Sequence, residues 1–546
     1  MTDVNRATAV DAVIVGAGFS GLYLLYRLRA LGFTTRLFER GSGVGGTWYW
    51  NRYPGARCDV ESMQYSYSFS EALEQEWDWS EKFSAQPQIL EYANHVADRF
   101  ELRKDITFNT TVEAAHFDEA AARWLVSTDT GEQITTQFFI MATGCISTAQ
   151  TPQVPGLDDY RGRTYHTGTW PHEPVDFSGQ RIAVVGTGSS GIQSIPVLAE
   201  QAAHVTVFQR TPNYSLPSQN GPMTSEYAKD WKDNYPSRRA EQRRTNKGTI
   251  RDLNDETALS VDESARQEMY DARWTIGGSS LLSAFNDLLV NKLANDTAAE
   301  FVRDKIRSIV KDPGVAETLA PKTYPIGTKR ICIDSGYFET FNRDNVRLVD
   351  IAENGIERLT KGGLVANGET FEFDAIVFAT GFDAMTGTLF RVDIRGRNAL
   401  SLRDKWRAGP RTYLGLMSER FPNLFMITGP GSPSVLSNMI VSIEQHVDWV
   451  TDALVHLTNN KLEVMEPTRR AEDEWTQHVD DVAHTTLFPQ ANSWYMGANI
   501  PGKPRRFMPY IGGVGRYRKI CDEVVADDYR GFVFNNERGA KDAAAD

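Results

Sequence analysis

The chain has little cysteine. Four in 546 residues, Cys58, Cys145, Cys332 and Cys521, lie too far apart for any Cys-x-x-Cys pair. That spacing argues against a dithiol redox centre and against a structural zinc site. No apolar run approaches the roughly 18 residues that a membrane span needs. Residues 1–6 lack the basic-then-apolar pattern of a secretory signal. Positive charge is in deficit: 58 Lys and Arg against 71 Asp and Glu give a net charge of -13, which disfavours a nucleic-acid partner. What remains is ordinary globular composition, 41% hydrophobic and 24% charged, in a chain long enough for several domains. The expectation is a soluble, cytoplasmic protein in a reducing compartment, with no obligate protein partner.

Two glycine-rich loops carry the first positive signal. Residues 11–15 are an apolar run ending at Gly16, Gly18, Ser20 and Gly21. Residues 22–31 then place Leu24, Leu25, Leu28 and Leu31 at helical spacing until Gly32 stops them. Strand, glycine turn and helix make a βαβ opening, in which Gly16 turns the chain, Gly18 lets backbone approach a pyrophosphate and Gly21 lets helix pack on strand. The next strand, 35–38, ends at Glu39, about 20 residues on, where a ribose hydroxyl needs an acceptor. The second loop follows the apolar run 181–185 and reads Gly186, Thr187, Gly188, Ser189, Ser190, Gly191, with Ile192 and Gln193 opening a helix. Its following strand, 204–208, ends in Gln209, Arg210 and Thr211, with no acid at the tip. An arginine there removes a hydroxyl acceptor and supplies a phosphate donor, favouring NADPH over NADH. The plainer alternative is that Arg210 pairs with a surface acid.

The rest of the chain fits around these loops. Residues 45–59 read as loop, and Trp48, Tyr49, Trp50 and Tyr53 are too many rings for a free surface. They form either a satellite hydrophobic cluster or a wall around a flat heterocycle, with Asp59 as its buried ionisable group. Residues 71–83 read as acidic surface, 88–100 as a helix, and 106–129 with 133–141 as a strand meander ending in Ala142, Thr143 and Gly144. Strands follow at 346–350 and 369–378, the second ending in the same tripeptide at 379–381. Residues 151–156 are a proline-rich boundary. The stretch 217–322 is rich in helix formers and reads as an inserted helical subdomain whose basic runs are a solvated face. A Pro/Gly turn then presents two adjacent cations, Lys329 and Arg330. Near the C-terminus, 421–439 reads as strand, Gly/Pro/Ser loop and helix start. Residues 491–504, with an isolated Trp494, read as a mobile loop, and 539–546 as a frayed end. The fold class expected is α/β, with two Rossmann-like dinucleotide-binding domains and a helical insertion.

Between the two loops stand Tyr160, Gly162, His166, Trp170 and Pro171. This is the pattern Phe-x-Gly-x-x-x-His-x-x-x-Trp followed by Pro or Asp, with Tyr for the first Phe. On these residues, and on the order of the other motifs over nearly the whole chain, the sequence resembles the type I Baeyer–Villiger monooxygenases. Arg57, Cys58 and Asp59, with segments 327–330 and 429–433, are most similar to the phenylacetone and steroid monooxygenase branch.

The resemblance implies FAD held by segments 1–150 and 383–546, NADPH held by 151–217 and 323–382, and the insertion at 218–322. Glu39 would hold the FAD ribose. Thr47, Trp48, Tyr49, Trp50, Tyr65, Val112 and Met439 would line the flavin nucleotide, with Arg57 and Cys58 beside Asp59. Residues 187–193 would take the NADP pyrophosphate, and Arg210, Thr211 and Lys329 the 2′-phosphate. Arg330 would be the catalytic cation, partnered by Asp59, and Trp494 would close over the nicotinamide. Ser434, Val435, Leu436 and Ser437 would border a pocket for an uncharged ketone. His166 would be structural or concerned with domain coupling. The implied reaction reduces the flavin with NADPH, adds dioxygen to give an anionic peroxide, and carries one oxygen into a ketone through a tetrahedral adduct, giving an ester or lactone; sulfides are expected substrates too. A flavin monooxygenase acting on nitrogen or sulfur would keep the fold but not need the Arg330–Asp59 pair. A disulfide reductase would need the missing Cys-x-x-Cys, and a non-catalytic flavin sensor would not need the full set of motifs.

Overall fold

The N-terminal apolar run becomes the strand Thr8–Val15, seated inside its sheet between Thr35–Phe38 and Gln133–Met141 and parallel to both. Its residues Ala12, Val13 and Ile14 are fully buried, because each face of the strand packs into a different core. Ile106–Thr107 extends the sheet on one side. The antiparallel strands Val112–Asp118 and Arg123–Thr128 extend it on the other, with Asp393–Arg395 at that edge. Leu424–Met426, from far along the chain, pairs with Gln133–Met141. This computed structural model describes residues 8–534, so the fraying expected at 539–546 lies outside the described residues.

A second sheet is wholly parallel, in the order Val346–Asp350, His204–Gln209, Arg181–Val185, Ala375–Phe378, Arg163–His166. Its edge strand is the Tyr160–Pro171 stretch itself, with His166 opposite Phe378. A three-stranded antiparallel sheet, Ile356–Thr360, Gly363–Ala366 and Glu369–Glu372, caps this unit. Only the last of these three was expected as strand, because the first two are short and interrupted by turns. The expected strand 369–378 is divided into Glu369–Glu372 and Ala375–Phe378, which belong to different sheets.

Other local readings are corrected by packing. Residues Thr47–Trp50 form one helical turn, not loop. Leu31 is the C-cap of helix Phe19–Ala30 and points to solvent. Residues 71–83 are not surface throughout: Leu73, Trp79 and Phe83 are buried, and Glu74 is buried because Arg239 bonds it at 2.7 Å. The helices of the insertion are shared between the two cores. Ser225–Gln242 sends Trp231 and Tyr235 into the first, while Glu263–Ile276, Lys292–Ile309 and Pro313–Leu319 pack into the second. Among the described residues no helix is long and apolar enough to cross a membrane, and no cluster of His, Cys, Asp and Glu has the make-up of a metal site.

Candidate active site

Both glycine loops feed helices whose first turn carries no side-chain cap. Phe19–Ala30 starts after Gly18, and Ser189–Gln201 after Gly188. The free N–H groups and the positive end of each helix are thus left for an anionic ligand. Gly16 and Gly186 turn the chain at φ +103° and +109°. Gly21 and Gly191 serve packing instead: a Cβ there would lie 1.9 Å and 2.2 Å from the carbonyl oxygens of Gly16 and Gly186.

A cleft of about 780 Å³ runs from one loop to the other, within the roughly 300–1,000 Å³ of small-molecule sites. It gathers Gly16, Gly18, Ser20, Glu39, Thr47, Trp48, Trp50, Arg57, Cys58, Asp59, Tyr65, Val112 and Met439 from the first unit. From the second it gathers Gly186, Thr187, Gly188, Ser189, Ser190, Gln193, Arg210, Thr211, Lys329 and Arg330, with Trp494, Val435 and Ser437 from the C-terminal part. Six expected residues do not face it. Gly21 and Gly191 lie behind their turns, and Ile192 is fully buried in the second core. Tyr49 turns aside, its hydroxyl 2.7 Å from Ser42 Oγ and its ring 4.7 Å from His172. Ser434 is buried with its Oγ 3.0 Å from Cys145 Sγ, and Leu436 packs into the aromatic cluster of Phe488, Tyr495 and Phe507.

The cleft is built for dinucleotides. A Cβ on Gly188 or Gly381 would meet nothing within 4 Å, so bare backbone of the second unit faces the space. Asn51 Oδ1, Ser493 Oγ and Asn499 Oδ1 are buried on the lining without a protein partner, as groups awaiting a ligand are. Both Glu39 oxygens are fixed, accepting from Ala17 N–H at 2.8 Å and Gly41 N–H at 2.7 Å, so the carboxylate is oriented in advance. Residues present therefore fit FAD at the first loop and NADP at the second.

At the junction of the two units the Arg330 guanidinium grips Asp59, Nε to Oδ2 at 3.0 Å and Nη2 to Oδ1 at 2.7 Å. The Asp59 charge raises the Arg330 pKa further above its ordinary value, against the opposing effect of burial. The side chain is 39% accessible, yet it stands inside the cleft and not on open surface. Asp59 engages Nε and Nη2, leaving Nη1 outside the fork. The loop bearing Asp59 is tied to the second unit by Gln193, which accepts from Tyr53 Oη at 2.8 Å and donates to Arg57 O at 3.0 Å. Arg57 itself pairs with Glu81. Lys329 lies over the Tyr324 ring at 4.3 Å; burial and then the Arg210 charge pull its ammonium down to about 8. Burial pushes the Cys58 and Cys332 thiols up to about 12, so neither supplies a thiolate.

The stretch 160–171 stays outside the cleft and braces it. Tyr160 Oη donates to Phe373 O at 2.9 Å, and a Cβ on Gly162 would lie 2.7 Å from Asp374 O. Trp170 is buried, stacked 5.3 Å from Tyr165, and Pro171 follows it half-buried. Gly168 N–H donates to His166 Nδ1 at 2.9 Å, which puts the imidazole proton on Nε2, 3.1 Å from both Gln150 O and Thr380 Oγ1. Burial lowers the His166 pKa, keeping the ring neutral.

Sequence reading missed the anchors of loop 491–504. Lys503 Nζ bonds Asp383 Oδ1 at 2.6 Å and Ala384 O at 2.8 Å, and Asn499 Nδ2 donates to Phe382 O at 2.8 Å. A lone lysine between Gly502 and Pro504 was the available signal. Asn51 and Ser493 gave none, since their role depends on burial.

A family described as pyridine nucleotide-disulphide oxidoreductase matches residues 13–244. A Baeyer–Villiger monooxygenase of Pseudooceanicola batsensis is 40% identical over 96% of this chain and 96% of its own. A phenazine N-monooxygenase of Lysobacter antibioticus is 39% identical over 98% of each chain. Among solved structures, an oxidised steroid monooxygenase bound to NADP is 50% identical and superposes with a TM-score of 0.92 over 97% of this chain and 100% of that one.

Proposed function

Since the chain belongs to the Baeyer–Villiger monooxygenase family, we infer that it uses FAD, NADPH and dioxygen to insert one oxygen atom beside the carbonyl of a ketone, giving an ester or lactone. When bound, FAD reduced by NADPH supplies the activation of dioxygen. The chain's own residues do the rest. Glu39 accepts from a ribose hydroxyl at the first loop while its two backbone donors keep it in place. The N–H groups after Gly18 and Gly188 receive the two pyrophosphates. Arg210 and Lys329 hold the 2′-phosphate. Gln193 and Tyr53 fix the two units against each other, so that hydride donor and acceptor meet in one geometry.

Arg330 holds its protons throughout, since guanidinium does not titrate in this range and Asp59 stabilises the cation. Its Nη1 faces the carbonyl oxygen of the substrate and stabilises negative charge as the carbon becomes tetrahedral. Asp59 aims the guanidinium and balances its charge. Trp494 and the rest of 491–504 cover the site and exclude water. The observation that carries this reading is the two-toothed Arg330–Asp59 pair at the meeting point of both glycine loops.

The experiment is Arg330→Ala, followed by absorbance and by product mass. NADPH should still bleach the flavin while ester formation falls by about 10²–10³-fold. Normal ester yield would overturn the role given to Arg330. Because the phenazine relative is an N-monooxygenase, a heteroaromatic amine belongs beside the ketones in the same assay; an N-oxide as the dominant product would favour that second reading. A sulfide is expected to be oxidised as well. We place the enzyme in the cytoplasm, working without an obligate protein partner.

A further inference from the structure

We propose that Lys247 and Arg251 form an anion-recognising subsite behind the cleft wall near Asp59, and that the ketone taken by this enzyme carries a carboxylate. The inference rests on the ketone-oxygenating reading above and adds the substrate class to it.

The segment bearing these residues lies against the cleft lining. Asn438 N–H donates to Lys247 O at 2.8 Å, and Ile250 N–H donates to Gln64 Oε1 at 2.8 Å. Asn438 sits between Ser437 and Met439, and Gln64 precedes Tyr65; Ser437, Met439 and Tyr65 all line the cleft. A Cβ on Gly248 would meet the side chains of Asn438 and Val441 at 3.3 Å, so the segment is pressed onto the start of helix Met439–Asn459.

Both cations are half-buried, and their charges are not answered. Arg251 Nε donates to Thr249 Oγ1 at 3.0 Å, but Nη1 is buried with no partner. Arg251 feels Glu61 and Asp59 electrostatically, yet both carboxylates are committed elsewhere. Asp59 is held by Arg330 at 2.7 Å; Glu61 accepts from Tyr227 Oη at 2.7 Å and pairs with Lys82 at 3.4 Å. Among the described residues neither Lys247 nor Arg251 shows an ion pair. Arg239 makes the contrast: more deeply buried, it is satisfied by Glu74, Ser66 and Gln242. Burial, then the Arg251 charge, lowers the Lys247 ammonium to about 7, the response of an enclosed cation without a counter-ion. A buried charge left alone is costly, and a carboxylate accepting from both groups would offset that cost. Val435 and Ser437 on the cleft lining carry no charge, and the segment bearing Lys247 and Arg251 stands one layer behind it, bonded to Asn438 and Gln64.

The test uses the FAD-loaded enzyme with NADPH and a ladder of methyl-ketone acids, 5-oxohexanoate through 9-oxodecanoate, each beside its methyl ester. At one or more chain lengths the acid should exceed its ester in kcat/KM by about tenfold, the worth of one modest charge-assisted contact. Arg251→Met and Lys247→Met should each reduce that ratio by roughly fivefold or more, and Arg251→Lys should restore part of it. As a readout independent of turnover, calorimetry of the oxidised enzyme with the best acid near pH 8, in buffers of different ionisation enthalpy, should show proton uptake that Lys247→Met removes. Esters oxygenated with no acid preferred at any length, or a preference untouched by both methionine variants, would overturn the subsite and leave the ketone reading standing. Failure of every ketone, acid or ester, would sink both.

Discussion

Raising the pH should loosen this enzyme's hold on NADP+ while leaving its hold on NAD+ almost unchanged. Lys329 lies over the Tyr324 ring, half-buried beside Arg210, and titrates at about 8 instead of the ordinary 10.5. A 2′-phosphate is a dianion at these pH values and would draw the ammonium back towards its ordinary value. Because binding raises the pKa, the affinity that Lys329 contributes is complete below about 8 and is lost as the pH climbs towards the bound-state value. If the phosphate restores 10.5 in full, Kd for NADP+ rises roughly 20-fold between about pH 7.5 and about pH 9.5. NAD+ shares every contact except the 2′-phosphate and serves as the internal control. Calorimetric or fluorescence titration of the oxidised enzyme with both nucleotides at the two pH values reads the difference directly. Lys329→Met should weaken NADP+ at the lower pH and abolish its pH dependence. An NADP+ affinity that is flat with pH, or an NAD+ affinity with the same slope, would refute the reasoning.

Other expectations concern the braces around the cleft. Breaking the latch with Asp383→Asn or Lys503→Met, a charge-assisted bond worth about 1.5–3 kcal/mol when lost, should release loop 491–504, speed NADP+ dissociation roughly tenfold or more and raise NADPH consumed per ester formed; unchanged coupling would remove the latch from the mechanism. Gly191→Ala should damage folding of the second unit, since its Cβ would lie 2.2 Å from Gly186 O, whereas Gly188→Ala should fold normally and lose dinucleotide affinity, its Cβ pointing into open cleft; thermal melts with and without NADP+ distinguish the two. Asp59→Ala should cost ester formation about as much as Arg330→Ala while flavin reduction persists, because an unaimed guanidinium loses its geometry; a fully active Asp59→Ala would deny the pair its role.

Much of the cofactor architecture was legible in the chain, because βαβ units place chemistry at fixed offsets. Gly16 and Glu39, or Gly186 and Arg210, announce a ligand site through local spacing alone. Arg330 and Asp59, far apart in sequence, were paired through family resemblance; no periodicity links them. What escaped was decided by tertiary contact. Ile192 and Tyr49 stand in motif positions yet turn into packing, since a helix presents only part of its first turn to a ligand. Asn51, Asn499, Lys503 and Arg251 look ordinary in sequence, and their interest comes from being buried with or without a partner. The short strands Ile356–Thr360 and Gly363–Ala366 were hidden because turn residues interrupt them before alternation becomes readable.

The first core draws on Leu22 and Leu25 from one end of the chain and on Val447, Val450 and Phe532 from the other. During synthesis, therefore, the greasy face of helix Phe19–Ala30 leaves the ribosome several hundred residues ahead of helix Met439–Asn459, which packs against it. Nascent chains must pass that interval with the surface uncovered, exposed to self-association and to chaperone capture. Ribosomes stalled before about residue 450 should yield insoluble product, and the first nucleotide-binding unit should resist separate expression, since its sheet takes strands from residues 8–141 and again from 393–426, on either side of the second sheet.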